Sequence, residues 1–370
     1  MEQTEKGKKP QKLRILVTPL NWGLGHATRC IPVIRELLAQ GCEVIIGSSG
    51  PSVVLLKKEF PGLHHIEAPA YTVRYSRRKW FFSLKLLLQF PKLKKQVTKE
   101  NEWLQEIVDR YSIDAVISDN RFGVYHRKVP SVIMTHQLAI KTGLGTVANY
   151  FAQKKNYDYL SKFFTCWVPD FPDKPGLAGT LSHPQKKPSF PVIYIGSLTR
   201  FVKSETAEIK KHLLIILSGP EPQRTIFENK ILDDIHRYNG TATIVRGLPG
   251  SASLIPSSNS IQVFNHLPAE ELNEEMLKAE YIISRTGYTT IMDIAALGKK
   301  SILIPTPGQS EQEYLGRLCI EEQTAFIIAQ NKFSLLSAIE AASQFAYKPM
   351  PTADHTLLMT AVQHFLSALR

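Results

Sequence analysis

The stretch Ser284-Arg-Thr-Gly-Tyr-Thr-Thr-Ile-Met-Asp-Ile-Ala-Ala-Leu-Gly298 decides the fold of this chain. The apolar run at 281–284 has the composition of a buried strand, and Gly287 marks a turn that opens a helix. The backbone N–H groups of that helix N-terminus then lie at the carboxyl end of a strand, where an anion such as a diphosphate can bind. Asp293, one turn further along, offers a carboxylate to ribose hydroxyls. The stretch therefore predicts a protein that handles a nucleotide-linked substrate.

The composition indicates a globular protein with more than one domain. The 370 residues are enough for two α/β domains, and 43% hydrophobic with 21% charged residues exclude a disordered chain. No apolar segment follows Met1, and no run of about 18 apolar residues occurs, so we expect neither a signal peptide nor a membrane span. The widely spaced cysteines without a C-x-x-C pair indicate reduced core thiols in a cytoplasmic protein: Cys30, Cys42, Cys166 and Cys319.

The net charge of +12 is concentrated in one segment. Residues 74–99 contain nine Lys or Arg and no Asp or Glu, together with the apolar side chains of 80–82 and 86–88. A segment that is both basic and apolar suits an anionic membrane surface better than a nucleic-acid groove. This interpretation predicts peripheral attachment to the inner face of the membrane and no nucleic-acid partner. The alternative is a core-facing helix with a solvated basic face.

Apolar strands alternate with helical patterns along both halves of the chain, which predicts parallel sheets with right-handed crossovers. Each half opens on an apolar strand, a glycine-containing loop and a helix. We predict a domain over 1–198, a second over 199–350 with 197–210 as the linker, and a last helix within 351–370 that packs back on the first domain. The predicted strands are 13–18, 43–47, 115–118, 131–134, 163–168, 192–195, 211–217, 242–245, 261–264, 281–284, 301–304 and 325–328.

The loop after the first strand, Asn21-Trp-Gly-Leu-Gly-His-Ala-Thr-Arg29, is the first candidate site. Gly23 and Gly25 let the backbone approach a ligand closely. His26 begins a helix whose N-terminus points into the crevice at the strand end, and its pKa near neutrality makes it a candidate general base. The alternative is a helix-capping His in a tight turn. Thr28 stands where nicotinamide enzymes have a third glycine, so the loop is not their fingerprint.

Further candidate residues follow other predicted strands. Asp119 ends one strand, and His136 with Gln137 follows the next, so a parallel sheet brings them to one crevice. Gly219 in the loop that opens the second half can cradle a phosphate, and Arg224 can pair with it. The alternatives are a structural His136 and an ordinary β–α turn with a surface Arg.

Several catalytic motifs are absent from the sequence, and their absence argues against particular classes of enzyme. The sequence contains no G-x-x-x-x-G-K-[ST], no H-E-x-x-H and no G-x-S-x-G, which argues against a P-loop ATPase, a zinc protease and an α/β-hydrolase. It also contains no D-x-D, the usual signature of metal-dependent glycosyl transfer. A leaving diphosphate would be neutralised by helix dipoles and cationic side chains, so we expect neither a metal nor a separate cofactor.

These residues resemble the two-domain nucleotide-sugar glycosyltransferases of the GT-B type. The chain is most similar to the group of the peptidoglycan N-acetylglucosaminyltransferase and the plant galactolipid synthases, which is family 28-like. The loop at 23–26 is similar to the family's Gly-x-Gly-Gly-His loop, and the stronger match covers 281–314, including Pro305 and Gln312. The resemblance implies two doubly wound Rossmann-like domains facing a central cleft.

The resemblance also implies roles for individual residues. A UDP-sugar donor would bind mainly the C-terminal domain, and the acceptor would bind the N-terminal domain beside His136 and Gln137. His26 would be the base or a positioning group. The implied donor residues lie at the ribose, the sugar, the diphosphate and the two glycine loops: Asp293, Gln312, Glu313, Arg285, Thr286, Gly287, Gly219, Gly23 and Gly25. Asp119 as a second catalytic residue and Arg224 as a donor residue are candidates from their positions alone.

Three functions remain open at this point. The first is an inverting, metal-independent glycosyltransferase whose acceptor is unidentified and, given residues 74–99, lipid-linked. The second is a UDP-sugar epimerase of similar fold. The third is a non-catalytic nucleotide-sugar-binding subunit. Product analysis separates the first from the second, and loss of turnover with intact binding on changing His26 separates the first from the third.

Overall fold

A computed structural model describes residues 12–70, 90–248, 250–352 and 354–370. The first eleven residues and positions 74–89 of the basic stretch lie outside the described residues. In the described part, no helix is both long enough and apolar enough to cross a membrane. All four cysteines are buried and unpaired.

The first sheet contains strands of the N-terminal half, and all neighbouring strands in it are parallel. The strand order is β3-β2-β1-β4-β5-β6-β7. Strands β2 and β3 are added on one side of β1 and strands β4 to β7 on the other, so the order of addition reverses between β1 and β4. In open parallel sheets, ligands bind outside the strand carboxyl ends at such a reversal. The strands are β1 Arg14–Pro19, β2 Glu43–Ser48, β3 His64–Glu67, β4 Ala115–Asp119, β5 Ser131–Met134, β6 Thr165–Val168 and β7 Val192–Tyr194. The helices between them are α1 Leu24–Ala39, α2 Pro51–Glu59, α3 Phe90–Tyr111 and α4 Thr146–Leu160.

The second sheet repeats this plan in the C-terminal half. Its order β10-β9-β8-β11-β12-β13 is again parallel throughout and reverses between β8 and β11. The strands are β8 Ile209–Ile216, β9 Thr241–Val245, β10 Ile261–Phe264, β11 Ala279–Arg285, β12 Ser301–Ile304 and β13 Phe326–Ile327. The helices are α5 Gln223–Ile235, α6 Ala269–Lys278, α7 Tyr288–Leu297, α8 Ser310–Glu321, α9 Leu335–Ser343 and α10 His355–Ser367.

Burial explains why these segments form strands. β4, β5 and β12 are buried at every position, which matches their runs of Val, Ile and Leu. Helix α7 ends at Gly298, whose left-handed backbone (φ 66°) suits glycine and caps the helix. Each predicted strand is present with its ends shifted by a few residues at most, and the doubly wound α/β fold is confirmed. The prediction missed β3, because His64-His-Ile-Glu67 has only one buried apolar residue.

One apolar cluster joins the two domains and the last helix. Phe365 of α10 packs edge-on against Trp167 of β6, with ring centroids 5.8 Å apart. The chain therefore returns to the N-terminal sheet after completing the C-terminal one. The boundaries at 198 and 350 stay a prediction, and the linker predicted at 197–210 begins inside the core, since Leu198 is fully buried.

The described end of the basic stretch lies in α3. Lys94, Lys95 and Lys99 are exposed there, whereas Val97 and Leu104 are buried, Leu104 in an apolar cluster with residues of the first sheet. This part of the stretch follows the alternative interpretation, a core-facing helix with a solvated basic face. The membrane interpretation of the remaining residues stays a prediction.

Candidate functional site

The point between β1 and β4 where the strand order of the first sheet reverses faces the corresponding point between β8 and β11 of the second sheet, across the cleft between the domains. The first turn of α1 and the first turn of α7 meet there, where Thr289 Oγ1 lies 3.4 Å from the carbonyl oxygen of Gly25. A Cβ atom on Gly25 would lie 2.9 Å from the same hydroxyl oxygen. Gly25 therefore allows the two domains to approach each other closely. The close approach of its backbone to a ligand stays a prediction. Gly23 precedes α1 with φ 77°, a conformation that favours glycine.

His26 and Asp119 form a hydrogen-bonded pair at the N-terminal crevice. Nδ1 of His26, in the first turn of α1, is 2.9 Å from Oδ2 of Asp119, the last residue of β4. The carboxylate is fully buried, whereas the imidazole is 16% exposed. Burial lowers the pKa of His26 and the neighbouring Arg29 adds to this, while Asp119 opposes it. The imidazole is therefore mainly neutral at pH 7, as a general base must be.

Arg29 is the residue of this site that sequence reasoning missed. It is nearly fully buried, and its Nε lies 3.0 and 2.9 Å from the two carboxylate oxygens of Asp119. Burial would raise the pKa of Asp119, but Arg29 and His26 lower it overall, so the carboxylate stays ionised. The guanidinium also lies 2.8 Å from Nδ1 of His26 and 3.5 Å from Nδ1 of His136.

The competition for His26 Nδ1 defines two tautomers with different chemistry. With its proton on Nδ1, His26 donates to Asp119 and presents the Nε2 lone pair as a base. With its proton on Nε2, it accepts from Arg29 and can only donate to a ligand. Arg29 is thus placed to influence which role His26 takes.

His136 and Gln137 connect this site to the C-terminal domain. Nε2 of His136 lies 2.9 Å from Oε1 of Glu311, in the first turn of α8, and Nε2 of Gln137 donates to its other carboxylate oxygen. The His136 ring also stacks on Tyr288 with a centroid distance of 4.1 Å. Burial would raise the pKa of Glu311, but His136 lowers it overall. The acceptor-side pair predicted from sequence therefore lies at the domain interface, and Glu311 is a further residue that the prediction missed.

The C-terminal crevice has a different character, because two of its buried hydroxyls lack partners within the described residues. Gly219 turns with φ 100°, and Gly287 opens α7 without a side-chain cap. Two buried hydroxyls, Thr286 Oγ1 and Thr306 Oγ1, have no hydrogen-bond partner within the described residues. Thr306 Oγ1 would lie 3.9 Å from a Cβ atom on Gly219, so hydroxyl and glycine loop adjoin. Unpaired donors around a helix N-terminus are the groups that bind a phosphate.

The predicted sugar-binding residues Gln312 and Glu313 brace the loop above this crevice. Oε1 of Gln312 accepts from the backbone N–H of Thr306 at 2.8 Å, and Oε1 of Glu313 accepts from that of Gly308 at 3.1 Å. They hold the loop that carries Thr306. Their contact with a donor sugar stays a prediction.

Asp293 lies in the second turn of α7, close to the start of the predicted linker. Thr199 Oγ1 donates to its Oδ1 at 2.7 Å. Burial raises the pKa of Asp293 to about 7, against the effects of Thr199 and Arg200. A ribose that donated to this carboxylate would favour its ionised form.

The two arginines predicted at the diphosphate are buried and bonded to protein groups. Arg285 donates to the carbonyl oxygen of Gln223 at 2.6 Å, and its guanidinium lies over the Phe227 ring at 4.5 Å. Arg224 pairs with Glu221 at 2.6 Å and with Glu228 at 3.3 Å. Their contact with a diphosphate stays a prediction. Among the described residues, no group of three or more His, Cys, Asp or Glu could hold a metal ion.

The chain is similar to known glycosyltransferases. Residues 256–363 match the glycosyltransferase family 28 C-terminal domain. The chain is 23% identical to the UDP-N-acetylglucosamine–N-acetylmuramyl-(pentapeptide) pyrophosphoryl-undecaprenol N-acetylglucosamine transferase of Haemophilus ducreyi over 60% of its length, and it spans 61% of that relative. It is 22% identical to an uncharacterized glycosyltransferase of Methanosarcina mazei over 84% of each chain.

A solved structure shows the same fold over nearly the whole chain. The glycosyltransferase SnogD from Streptomyces nogalater matches with a TM-score of 0.61 and 13% identity, covering 97% of this chain and 100% of that one. The paired parallel sheets, the family 28 match and these relatives agree with the resemblance seen in the sequence. The chain therefore has the GT-B fold of these glycosyltransferases, and its residues 256–363 are similar to the family 28 C-terminal domain.

Proposed function

We propose that this protein moves a sugar from a UDP-linked donor to an acceptor hydroxyl in one inverting, metal-independent displacement. The observation that carries the proposal is the His26–Asp119 pair, which lies across the cleft from a crevice lined by unpaired hydrogen-bond donors. A base and an anion site that face each other are what a displacement with a diphosphate leaving group requires. The name of the Haemophilus ducreyi relative supports UDP as the nucleotide.

In the proposed step, the acceptor hydroxyl gives its proton to Nε2 of His26. Its oxygen forms a bond to the anomeric carbon as the bond from that carbon to the diphosphate oxygen breaks, and the electron pair leaves with the diphosphate. Asp119 accepts a hydrogen bond from Nδ1 and stabilises the imidazolium that forms. Attack from the face opposite the leaving group inverts the anomeric configuration.

The leaving diphosphate would be stabilised without a divalent cation. The free N–H groups at the start of α7 carry the positive end of the helix dipole, and the hydroxyls of Thr286 and Thr306 would donate to the same anion. Asp293 would accept from the ribose hydroxyls and Gln312 would contact the sugar. In their present positions Arg285 and Arg224 are bonded to protein groups, so they would contribute by maintaining the shape of the crevice.

We also propose a lipid-linked acceptor and peripheral attachment to the inner face of the membrane. The name of the Haemophilus ducreyi relative contains a pyrophosphoryl-undecaprenol group, which is a lipid carrier. The basic residues 74–99 belong to the N-terminal half, which would bind the acceptor. Both features favour an acceptor at the membrane over a small soluble one.

The test is a calorimetric screen of UDP-, GDP- and TDP-sugars, followed by turnover with the sugar that binds. We expect a UDP-sugar to bind and the product to have inverted configuration by NMR. Excess EDTA should leave the rate unchanged. Loss of activity in EDTA with recovery in Mg²⁺ would contradict metal independence, and conversion of the donor sugar without any acceptor would identify an epimerase instead.

A further inference from the structure

The segment 198–202 lies between the last strand of the first sheet and the first strand of the second, and both of its ends are bonded to the C-terminal domain. The backbone N–H of Leu198 donates to Sδ of Met292 in α7 at 3.3 Å. The side-chain amide of Asn273 in α6 accepts from the backbone N–H of Val202 and donates to its carbonyl oxygen, each at 3.0 Å. A side chain on this segment therefore has a defined position relative to α7.

Thr199 is the residue of this segment that contacts Asp293. Its Oγ1 accepts from the backbone N–H of Phe201 at 3.1 Å and donates to Oδ1 of Asp293 at 2.7 Å. A hydroxyl has one proton, and here the carboxylate is the acceptor within its reach. The hydrogen bond is charge-assisted, and therefore stronger, when Asp293 is ionised.

The charges around Asp293 come from the same segment and from neighbouring elements. Burial disfavours the ionised carboxylate, whereas the hydrogen bond from Thr199 and the charge of Arg200 favour it. Arg200 acts through its charge, but Thr199 acts through a directed bond and can fix an orientation. The charged or titratable groups that surround Arg200 and its neighbours, from α1, α2 and the loop after β10, are Arg35, Lys58, Glu59 and His266.

We propose that Thr199 is a positioning residue for the nucleotide: its hydroxyl holds the carboxylate of Asp293 in the orientation in which it accepts from ribose hydroxyls. The inference rests on the proposed function, which places the ribose at Asp293. Asp293 is partly exposed whereas Thr199 is buried, so Thr199 acts on the ligand through Asp293. A carboxylate that is oriented before the nucleotide arrives needs less reorganisation on binding, which strengthens binding.

The test is the affinity of the full chain for UDP, measured by calorimetry at several pH values without acceptor. The wild-type affinity should rise as the pH approaches about 7, the pKa of Asp293, and then level off. Thr199→Val should bind UDP about 3–10-fold more weakly at pH 7 and should move the rise to higher pH, because the lost hydrogen bond favoured the ionised carboxylate. Thr199→Ser keeps the hydroxyl and should restore the wild-type profile.

Asp293→Ala separates this effect from the titration of the diphosphate. It should weaken UDP binding and remove the part of the pH dependence that belongs to the carboxylate. Thr199→Val should then have no further effect on affinity, because the hydroxyl acts through Asp293. The matched control is Thr243→Val, which removes a buried hydroxyl that donates to Glu275 at 2.5 Å between β9 and α6. This control should bind UDP like wild type.

The possible failures of the inference differ from those of the proposed function. An unchanged affinity and pH profile in Thr199→Val would overturn the inference alone, provided that Asp293→Ala weakens binding. Equal losses from Thr199→Val with and without Asp293 would also overturn it, since they would indicate a general effect on the fold. Tighter binding by Thr199→Val would show that the hydroxyl competes with the ribose instead. Unchanged UDP affinity in Asp293→Ala would overturn the ribose assignment of the proposed function, and the inference with it. Thr199→Ala gives the same comparisons if Thr199→Val does not fold.

Discussion

The two crevices occupy the same position in two sheets of the same strand order, yet their polar groups are arranged in opposite ways. In the N-terminal crevice, His26, Asp119 and Arg29 are bonded to one another. In the C-terminal crevice, the hydroxyls of Thr286 and Thr306 have no partner within the described part of the chain. The first arrangement is complete for moving a proton, and the second presents hydroxyls that can donate to a bound anion.

The difference has an energetic consequence. A buried hydroxyl without a hydrogen bond costs about 1–3 kcal/mol, which a ligand can recover. Binding of a nucleotide in the C-terminal crevice should therefore stabilise the protein against unfolding. Removal of a charge from the N-terminal crevice should lower the enzymatic activity. Substitutions at four residues test this contrast.

The largest effect should come from His26→Asn. Loss of the base should lower kcat about 10²–10⁴-fold, while the affinity for the nucleotide, which binds the other crevice, stays unchanged. Steady-state kinetics and calorimetry give the two quantities, with the exposed His364→Asn as the matched control. A parallel loss of nucleotide affinity would show that His26 belongs to the donor site.

Asp293→Asn should have the next largest effect, and its effects on binding and stability should have opposite signs. Nucleotide affinity should fall by about 1–3 kcal/mol, because the amide is a weaker acceptor for ribose hydroxyls. Stability should rise by about 1–2 kcal/mol at about pH 8, since Asn cannot ionise in this buried position.

The sign of the pH dependence follows from the pKa of about 7, raised from the ordinary 3.8. The folded chain holds this proton more tightly than the unfolded chain, so the carboxyl destabilises the fold increasingly from about pH 4 to about pH 7. Urea unfolding should therefore show a larger gain for Asp293→Asn at about pH 8 than at about pH 5. An equal gain at both values would show that Asp293 ionises normally.

Thr306→Val should have a smaller effect on affinity. The change removes an unpaired buried hydroxyl, so it should leave stability equal or higher while weakening nucleotide binding by about 1 kcal/mol. Ser301→Ala is the matched control, because its hydroxyl is also buried without a partner within the described residues but lies at the start of β12, whereas Thr306 follows the end of that strand. Equal nucleotide affinity in both variants would remove Thr306 from the donor site.

Changes at Arg29 should shift the pH profile. The neutral form of His26 is the base, so kcat/KM should rise with pH through a pKa below 6.5. Because Arg29 lowers that pKa, Arg29→Gln should move the rise to higher pH, whereas Arg29→Lys should move it less. A profile that both variants leave in place would show that His26 is not the titrating base.

Features that depend on local sequence pattern could be predicted without the structure. Strands that are apolar along their length, such as β5 and β12, were predicted to within a residue, since burial on both faces requires that composition. The glycine loops at 23–25 and at 219 were predicted because tight strand-to-helix turns require them. His26 and Asp119 were predicted separately, as residues that follow strands.

Only the tertiary structure decided which of these residues meet. Arg29 contacts Asp119 across 90 positions, and His136 contacts Glu311 across 175, so no local pattern identifies either pair. The tertiary structure also decided that the guanidinium of Arg285 lies buried against Phe227 at the strand end that corresponds to Asp119 in the other sheet. A sequence shows where a parallel strand ends, but the packing of distant segments determines whether the side chain there is buried, paired or left for a ligand.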